Sequence, residues 1–177
     1  MANKQKAKGK SFEREVAKHL SVVFNLNFER VPNSGAFTGG LNSFRDSKLD
    51  EEQSRIFDGD ILSPKELTNT EFECKSRKDF GFHLLFSESK ELDGWIEQAK
   101  SDKWWFLIFK PNRKGRYVAF DNRVHYTVNS PVMSYKDVFI VSMDGFFEAN
   151  KDRILKYNEV DLTTFLQRNS DRLLRNL

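Results

Sequence analysis

The stretch FECKSRK, residues 72–78, alternates apolar and charged side chains. Side chains two apart share a face of a β-strand, so Phe72 and Cys74 predict an apolar face. By the same spacing, Glu73 and Lys75 place a carboxylate beside an amine on the other face. Charged residues rarely lie in an interior unless they are paired or bind a metal, although half-exposed edge strands also carry them. The stretch therefore predicts a strand and leaves open whether its charged face is a solvated edge or a site.

Length, charge and cysteine content indicate a single domain. The chain has 177 residues and 17 phenylalanines, enough to bury a core. Its net charge of +3 suits an anionic partner without requiring one. Cys74 is the only cysteine, which excludes an intrachain disulfide and a C-x-x-C zinc site. No apolar run reaches the about 20 residues of a membrane span, and the polar N-terminus is unlike a signal peptide, so we expect a soluble cytoplasmic protein without a membrane partner.

The order of predicted elements indicates one α/β domain over residues 1–177. A lysine-rich basic arm over residues 1–10 is expected to be mobile, and Ser11 begins a helix that ends near Phe24. A hairpin is predicted at residues 104–120, because PNRKG separates two strand-like runs. Further strands are predicted at residues 26–31, 57–62, 71–75 and 138–141, a helix at about 92–103, and a final helix after Asp161.

The first predicted helix carries an acid inside its apolar stripe. At about 100° per residue, the positions that share one arc are Phe12, Val16, Ala17, Leu20, Val23 and Phe24. Glu13 falls inside this arc, where a carboxylate is costly without a metal or a basic partner. The alternative is that Glu13 reaches solvent from the first turn, where the helix dipole favours acids.

A third acid lies in FDGDIL, residues 57–62. Asp60 at the end of one strand and a Glu-x-Lys on the next can meet at one edge of a sheet. Two carboxylates and a backbone carbonyl bind Mg²⁺ and leave positions for water and a substrate phosphate. The metal lowers the pKa of bound water, and a nearby lysine can orient the nucleophile or stabilise a developing anion.

GDIL followed by ECK resembles the signature of PD-(D/E)XK nucleases. The segments KGKSFERE, RVPNSGAF, ECKS and WIEQAKSDKWWFLIFKPNRKGRYV extend the similarity to archaeal-type and phage-type Holliday junction resolvases, over roughly residues 8–120. The resemblance implies a restriction-endonuclease-like fold, a mixed central β-sheet flanked by helices. It also implies a Mg²⁺-dependent DNA endonuclease, with Mn²⁺ as a substitute, that acts on branched DNA as a homodimer. A phage-encoded member would work in the host cytoplasm.

The resemblance assigns roles by position. Glu13, Asp60 and Glu73 correspond to metal-binding acids, and Lys75 completes the catalytic set. Arg30 and Ser34 lie where the family has a basic and a small hydroxyl residue near the scissile phosphate. Gly59 stands in place of the usual proline before the motif aspartate, which we interpret as a tolerated variation. The other expected DNA contacts are Lys8, Lys10, Arg77, Lys78, Arg113 and Lys114, and Gln98 is either a supporting polar residue or a solvent-facing one.

Two segments fall outside the resemblance. Residues 33–56 are long for an archaeal resolvase and rich in Gly, Ser, Asn and charge, with few apolar anchors. Burial cannot offset the entropy of ordering such a segment, so we expect residues 35–56 to be mobile without DNA. Residues after about 130 are expected to form extra C-terminal elements.

Three other interpretations remain open at this point. The same fold could bind DNA without hydrolysing it, although retention of all four charged motif positions argues against that. The enzyme could act on duplex sites, flaps or ends instead of junctions. The acids could hold a structural metal.

Overall fold

The computed structural model describes residues 2–32, 59–78, 80–81 and 88–173, which contain four α-helices, one 3-10 helix (Lys65–Leu67) and seven strands. The helices are α1 (Ala2–Phe24), α2 (Lys90–Ala99), α3 (Phe146–Tyr157) and α4 (Leu162–Leu173). The strands are β1 (Glu29–Arg30), β2 (Ile61–Leu62), β3 (Thr70–Arg77), β4 (Trp104–Pro111), β5 (Tyr117–Asp121), β6 (Met133–Tyr135) and β7 (Val138–Ser142). The expected mobile loop at 33–56, with Ser34, lies outside the described residues.

The main sheet is mixed. Its strand order is β3-β4-β5-β7-β6. β3 and β4 run parallel, joined by a crossover that contains α2, and the remaining neighbours are antiparallel. β1 and β2 form a separate antiparallel pair. A mixed central sheet flanked by helices is the fold that the resemblance implied, and the structure confirms it.

The two faces of the main sheet have different partners. In the parallel register, Phe72 lies opposite Phe106 and their rings stack at 5.5 Å. The ring of Phe147 on α3 contacts both of them, so this face packs on α3. On the opposite face Phe109 contacts Trp95 of α2 at 6.0 Å. The charged side chains of β3 therefore share their face with α2.

Helix α1 begins earlier than predicted. It starts at Ala2, so the predicted helix start at Ser11 is wrong, and residues 2–10 of the basic arm are helical. The reason is local: this segment is rich in Lys, Ala and Gln, which are good helix formers, and the single Gly9 costs only about 1 kcal/mol. The predicted apolar stripe is confirmed, because Phe12, Val16, Ala17, Leu20 and Phe24 are all buried.

The residues after 130 are part of the same core and are not an appendage to it. β7 lies inside the main sheet, between β5 and β6. Trp104 stacks on Tyr157 of α3 at 4.7 Å and contacts Phe165 of α4 at 5.0 Å. Asp161 caps α4, as predicted, by accepting hydrogen bonds from the Thr164 backbone and hydroxyl at 2.7 Å. Helix α3 was missed by the sequence interpretation.

No described helix has both the length and the apolar character needed to cross a membrane.

Candidate active site

Among the described residues β3 is an edge strand of the main sheet, and the site is built at this edge, where Asp60 forms hydrogen bonds with β3 in place of a neighbouring strand. The Asp60 amide donates to the Phe72 carbonyl at 2.9 Å, and one Asp60 carboxylate oxygen accepts from the Cys74 amide at 2.9 Å. The Asp60 carbonyl accepts from the Val31 amide just beyond β1. A buried amide without a partner is costly, so these bonds hold the buried Asp60 in one position.

Gly59 allows this close approach of the chain to β3. Its φ of 70° lies in the left-handed region, and a Cβ there would meet the Phe72 carbonyl oxygen at 2.8 Å. Proline fixes φ near −65°, so it cannot adopt this conformation. The departure from the family's proline is therefore required by the local backbone and is more than a tolerated variation.

Glu73 and Lys75 form an ion pair on the charged face of β3. Phe72 and Cys74 lie buried on the opposite face, so the predicted alternation is confirmed. Burial, and after it the nearby Asp60 carboxylate, raise the pKa of Glu73 to about 7, against the stabilising charge of Lys75. At neutral pH the pair thus holds a carboxylate that its surroundings make costly to ionise.

Glu13 reaches the same site from α1. Its partner is the Arg30 guanidinium on β1, which bonds one carboxylate oxygen, and both side chains are mostly buried. This ion pair compensates the acid in the apolar stripe. Glu13 also lies close enough to Glu73 to contribute to its raised pKa. The structure thus brings Glu13, Asp60, Glu73 and Lys75 together, and it uses Arg30 as the partner of Glu13.

The donor chemistry of these carboxylates fits Mg²⁺, which prefers oxygen ligands. Within the described residues, however, no three acidic, histidine or cysteine side chains are arranged so that they could already hold a metal ion. Each acid faces another group: Glu13 faces Arg30, Glu73 faces Lys75 and Asp60 faces the Cys74 amide. A divalent cation at this site would compete with Arg30 and Lys75 for the carboxylates.

A cleft of about 500 Å³ opens beside Lys75. Among the residues that line it are Gly9 on α1, Lys75 and Arg77 on β3, and Lys90, Gly94 and Gln98 on α2. Gln98, predicted as either supporting or solvent-facing, is both exposed and on the cleft wall. Sequence reasoning missed Lys90, because it began this helix near Leu92, and it also missed Gly94. The available signal was the spacing of four from Lys90 to Gly94 and from Gly94 to Gln98.

The other expected DNA contacts have different surroundings. Lys8, Lys10 and Lys78 are exposed. Arg77 pairs with Glu91 at 2.8 Å and keeps about half of its side chain exposed. At the turn between β4 and β5, two more cations, Arg113 and Lys114, are exposed.

Comparison with known families places most of the chain in one of them. The model of the family described as "Phage putative PDDEXK endonuclease" matches residues 4–165. No match was found among curated proteins or among solved structures. The matched region runs from the start of α1 into α4, and so contains Glu13, Asp60, Glu73 and Lys75. The chain therefore belongs to this phage PDDEXK endonuclease family.

Proposed function

We propose that the protein is a Mg²⁺-dependent DNA endonuclease whose active site consists of Glu13, Asp60, Glu73 and Lys75. The observation that carries the proposal is that Asp60 and Glu13 lie close enough to Glu73 to raise its pKa, beside Lys75 at the edge of β3. A cluster of acids that raises the pKa of one member is a common feature of functional sites. Membership of an endonuclease family supports the same reaction class.

The roles follow from the chemistry of each side chain. Asp60 and Glu73 would hold Mg²⁺ through carboxylate oxygens, with Glu13 beside them. Bound there, Mg²⁺ would lower the pKa of a bound water and neutralise charge on the scissile phosphate. Lys75, next to Glu73, would activate and orient the attacking water through its Nζ atom. Arg30 would keep Glu13 in place while the acids share the metal.

The matched experiment uses two glutamates of the same strand face. Glu71 lies two residues before Glu73 and pairs with Lys103 at 3.0 Å, away from the acid cluster. We expect purified protein to cut DNA with Mg²⁺ or Mn²⁺ and not with EDTA. Glu73→Gln and Lys75→Ala should each lower the rate by about a hundredfold or more, since each removes a group that acts at the reacting phosphate.

The control variant Glu71→Gln should cut at the wild-type rate. Undiminished cutting by Glu73→Gln, purified in the same way, would show that the site is assigned wrongly. Melting with and without EDTA in the absence of DNA separates a structural metal from a catalytic one. A structural metal would lower the melting temperature on removal, whereas a catalytic one would mainly remove activity.

For the substrate we propose branched DNA, a four-way junction cut by a homodimer. The sequence similarity to junction resolvases supports this choice. Symmetric cuts need two sites at a fixed separation, which a two-fold dimer provides. Cleavage of a fixed four-way junction, a flap and the matching linear duplex at equal concentration tests it. Paired symmetric nicks on the junction with little cutting of the duplex are expected, and equal cutting of all three by a monomer would exclude a resolvase.

A further inference from the structure

Both helices that border the cleft beside Lys75 contribute a glycine to its walls. Gly9 comes from α1 and Gly94 from α2. On α2, residues four apart share a face, so Lys90, Gly94 and Gln98 form one exposed row along the cleft. Gly94, in the middle of this row, has no side chain, which leaves a gap between the long side chains of Lys90 and Gln98.

The packing of the described residues does not require glycine at either position. Among them, a Cβ on Gly94 would meet nothing within 4 Å, and a Cβ on Gly9 would meet only Glu13 Oε1, at an ordinary 3.6 Å. Both residues lie inside helices, where glycine is less stable than alanine. One role of glycine is to allow the close approach of a ligand to the backbone.

The charges of the cleft indicate what approaches. Its lining carries three cations, Lys75, Arg77 and Lys90, and one acid, Glu91, which pairs with Arg77. Lys75 is paired with Glu73, which lies outside the lining. A mostly cationic cleft that opens at the acid cluster suits a chain of phosphates, because phosphate contacts position nucleic acids on proteins. Lys75 is part of this lining, and the reacting phosphate of the proposed nuclease would lie beside it.

We propose that this cleft holds the DNA strand beside the scissile phosphate, with the sugar–phosphate backbone passing between Gly9 and Gly94. This inference rests on the proposed nuclease function. The two glycines are positioning residues: because they have no side chains, the DNA strand can pass between the two helices and reach Lys75. A methyl group on either wall would leave the fold intact and move the strand away from the acids.

The test is to add that methyl group. Gly94→Ala and Gly9→Ala should raise the melting temperature by about 2 °C or more, because alanine favours the helix. Cleavage should nevertheless fall by about tenfold to a hundredfold, since a small misplacement of the substrate is costly. Gly94→Gln should cut more slowly still. Val22→Ala is the control: Val22 is 75% exposed near the end of α1 and does not line the cleft, so this change should leave cleavage unchanged.

Binding is measured separately from cutting, by fluorescence anisotropy of a labelled single-stranded oligonucleotide on the inactive Glu73→Gln background. Adding Gly94→Gln there should weaken binding, and adding Val22→Ala should not. Wild-type cleavage and binding by Gly94→Ala, Gly9→Ala and Gly94→Gln would overturn the inference, as would a fall in melting temperature with Gly94→Ala. Failure of the nuclease proposal is recognised independently, by a wild-type protein that cuts no DNA or by full activity of Glu73→Gln.

Discussion

Gly59 allows the neighbouring Asp60 to lie close to β3. A residue in the left-handed region costs an L-amino acid about 1–2 kcal/mol, and here a Cβ would also overlap the Phe72 carbonyl oxygen. The Asp60 amide donates to that same carbonyl. Replacement of Gly59 therefore strains the backbone and disturbs the hydrogen bonds that hold Asp60.

We expect Gly59→Ala to lower the free energy of unfolding by about 2–4 kcal/mol, from backbone strain together with the steric overlap. Urea denaturation measures the loss. Gly145→Ala is the matched control, because Gly145 has a similar φ of 77° but a Cβ there meets nothing within 4 Å. The Gly145→Ala variant should lose only the contribution of backbone strain, about 1–2 kcal/mol in the free energy of unfolding. Equal losses in the two variants would contradict the steric argument.

At the residue scale the sequence singled out Glu13, Asp60 and Glu73 and placed Lys75 beside Glu73, but it did not name the partner of Glu13. Glu13 was identifiable because it interrupts an apolar stripe, and Glu73 because it alternates with buried residues. The pairing of Arg30 with Glu13 could not be predicted, since it depends on how β1 packs beside α1. The phosphate contact that the resemblance assigns to Arg30 stays a prediction, and in the structure its guanidinium bonds to Glu13.

At the scale of the element, α1 carries a row of unpaired positive charge. Lys10, Arg14 and Lys18 follow one another at spacings of four, and all three are exposed. In the part of the chain that the structure describes, none of them forms an ion pair. Like charges at this spacing destabilise a helix. The row, which is about 12 Å long at 1.5 Å per residue, therefore suits a polyanion better than it suits helix stability.

We expect the triple variant Lys10→Gln, Arg14→Gln, Lys18→Gln to bind DNA more weakly while melting at or above the wild-type temperature. Each lost phosphate contact should reduce the slope of log affinity against log salt concentration by about 0.9 on duplex DNA. Binding titrations at several salt concentrations measure that slope. Removing two exposed or half-exposed charges of α3, by Lys151→Gln and Lys156→Gln, serves as the control. An unchanged slope in the triple variant would show that DNA does not contact this face of α1.

Asn158, at the end of α3, connects the C-terminal helices to the start of β3. Its side chain accepts from the Asn69 amide at 2.7 Å and donates to the Glu66 carbonyl at 3.0 Å. Asn158→Ala leaves these part-buried groups, and the buried Thr70 hydroxyl that also donates to Asn158, without this partner, so we expect a loss of about 2–4 kcal/mol in the free energy of unfolding. Asn169→Ala, which removes one bond to the Phe165 carbonyl, should cost far less. Similar losses in a denaturant titration would contradict the connecting role.

The elements that the sequence predicted well are those with a strong local pattern. The apolar run of β4 and the alternation in β3 require no knowledge of distant contacts. Helix α3 was missed although Phe146, Phe147 and Ile154 repeat at helical spacing, because its sequence also contains polar residues and lacks an N-cap side chain. The start of α1 was misplaced because Ser11 is a good cap that the longer helix does not use.

On the scale of the whole molecule, the packing contacts of the main sheet lie on its two faces, whereas the acid cluster lies at its β3 edge. One face of β3 and β4 packs on α3 through a cluster of aromatic rings, and the other face packs on α2. Among the described residues β3 is an edge strand of the main sheet, and the acids lie beside it, with Asp60 buried and Glu13 and Glu73 mostly buried. The packed core thus holds the acid cluster in place at this edge.

A junction resolvase needs two such sites in one assembly, which gives the last prediction. On a plasmid with an extruded cruciform, a dimer that cuts two strands within one binding event yields linear DNA. Mixing wild-type protein with a large excess of Glu73→Gln should produce dimers with one active site, which leave nicked circles. An equal excess of the active Glu71→Gln variant should leave linear DNA as the product. Linear product that persists with excess Glu73→Gln would mean that each chain cuts independently of a partner, because paired cuts then need no second active site.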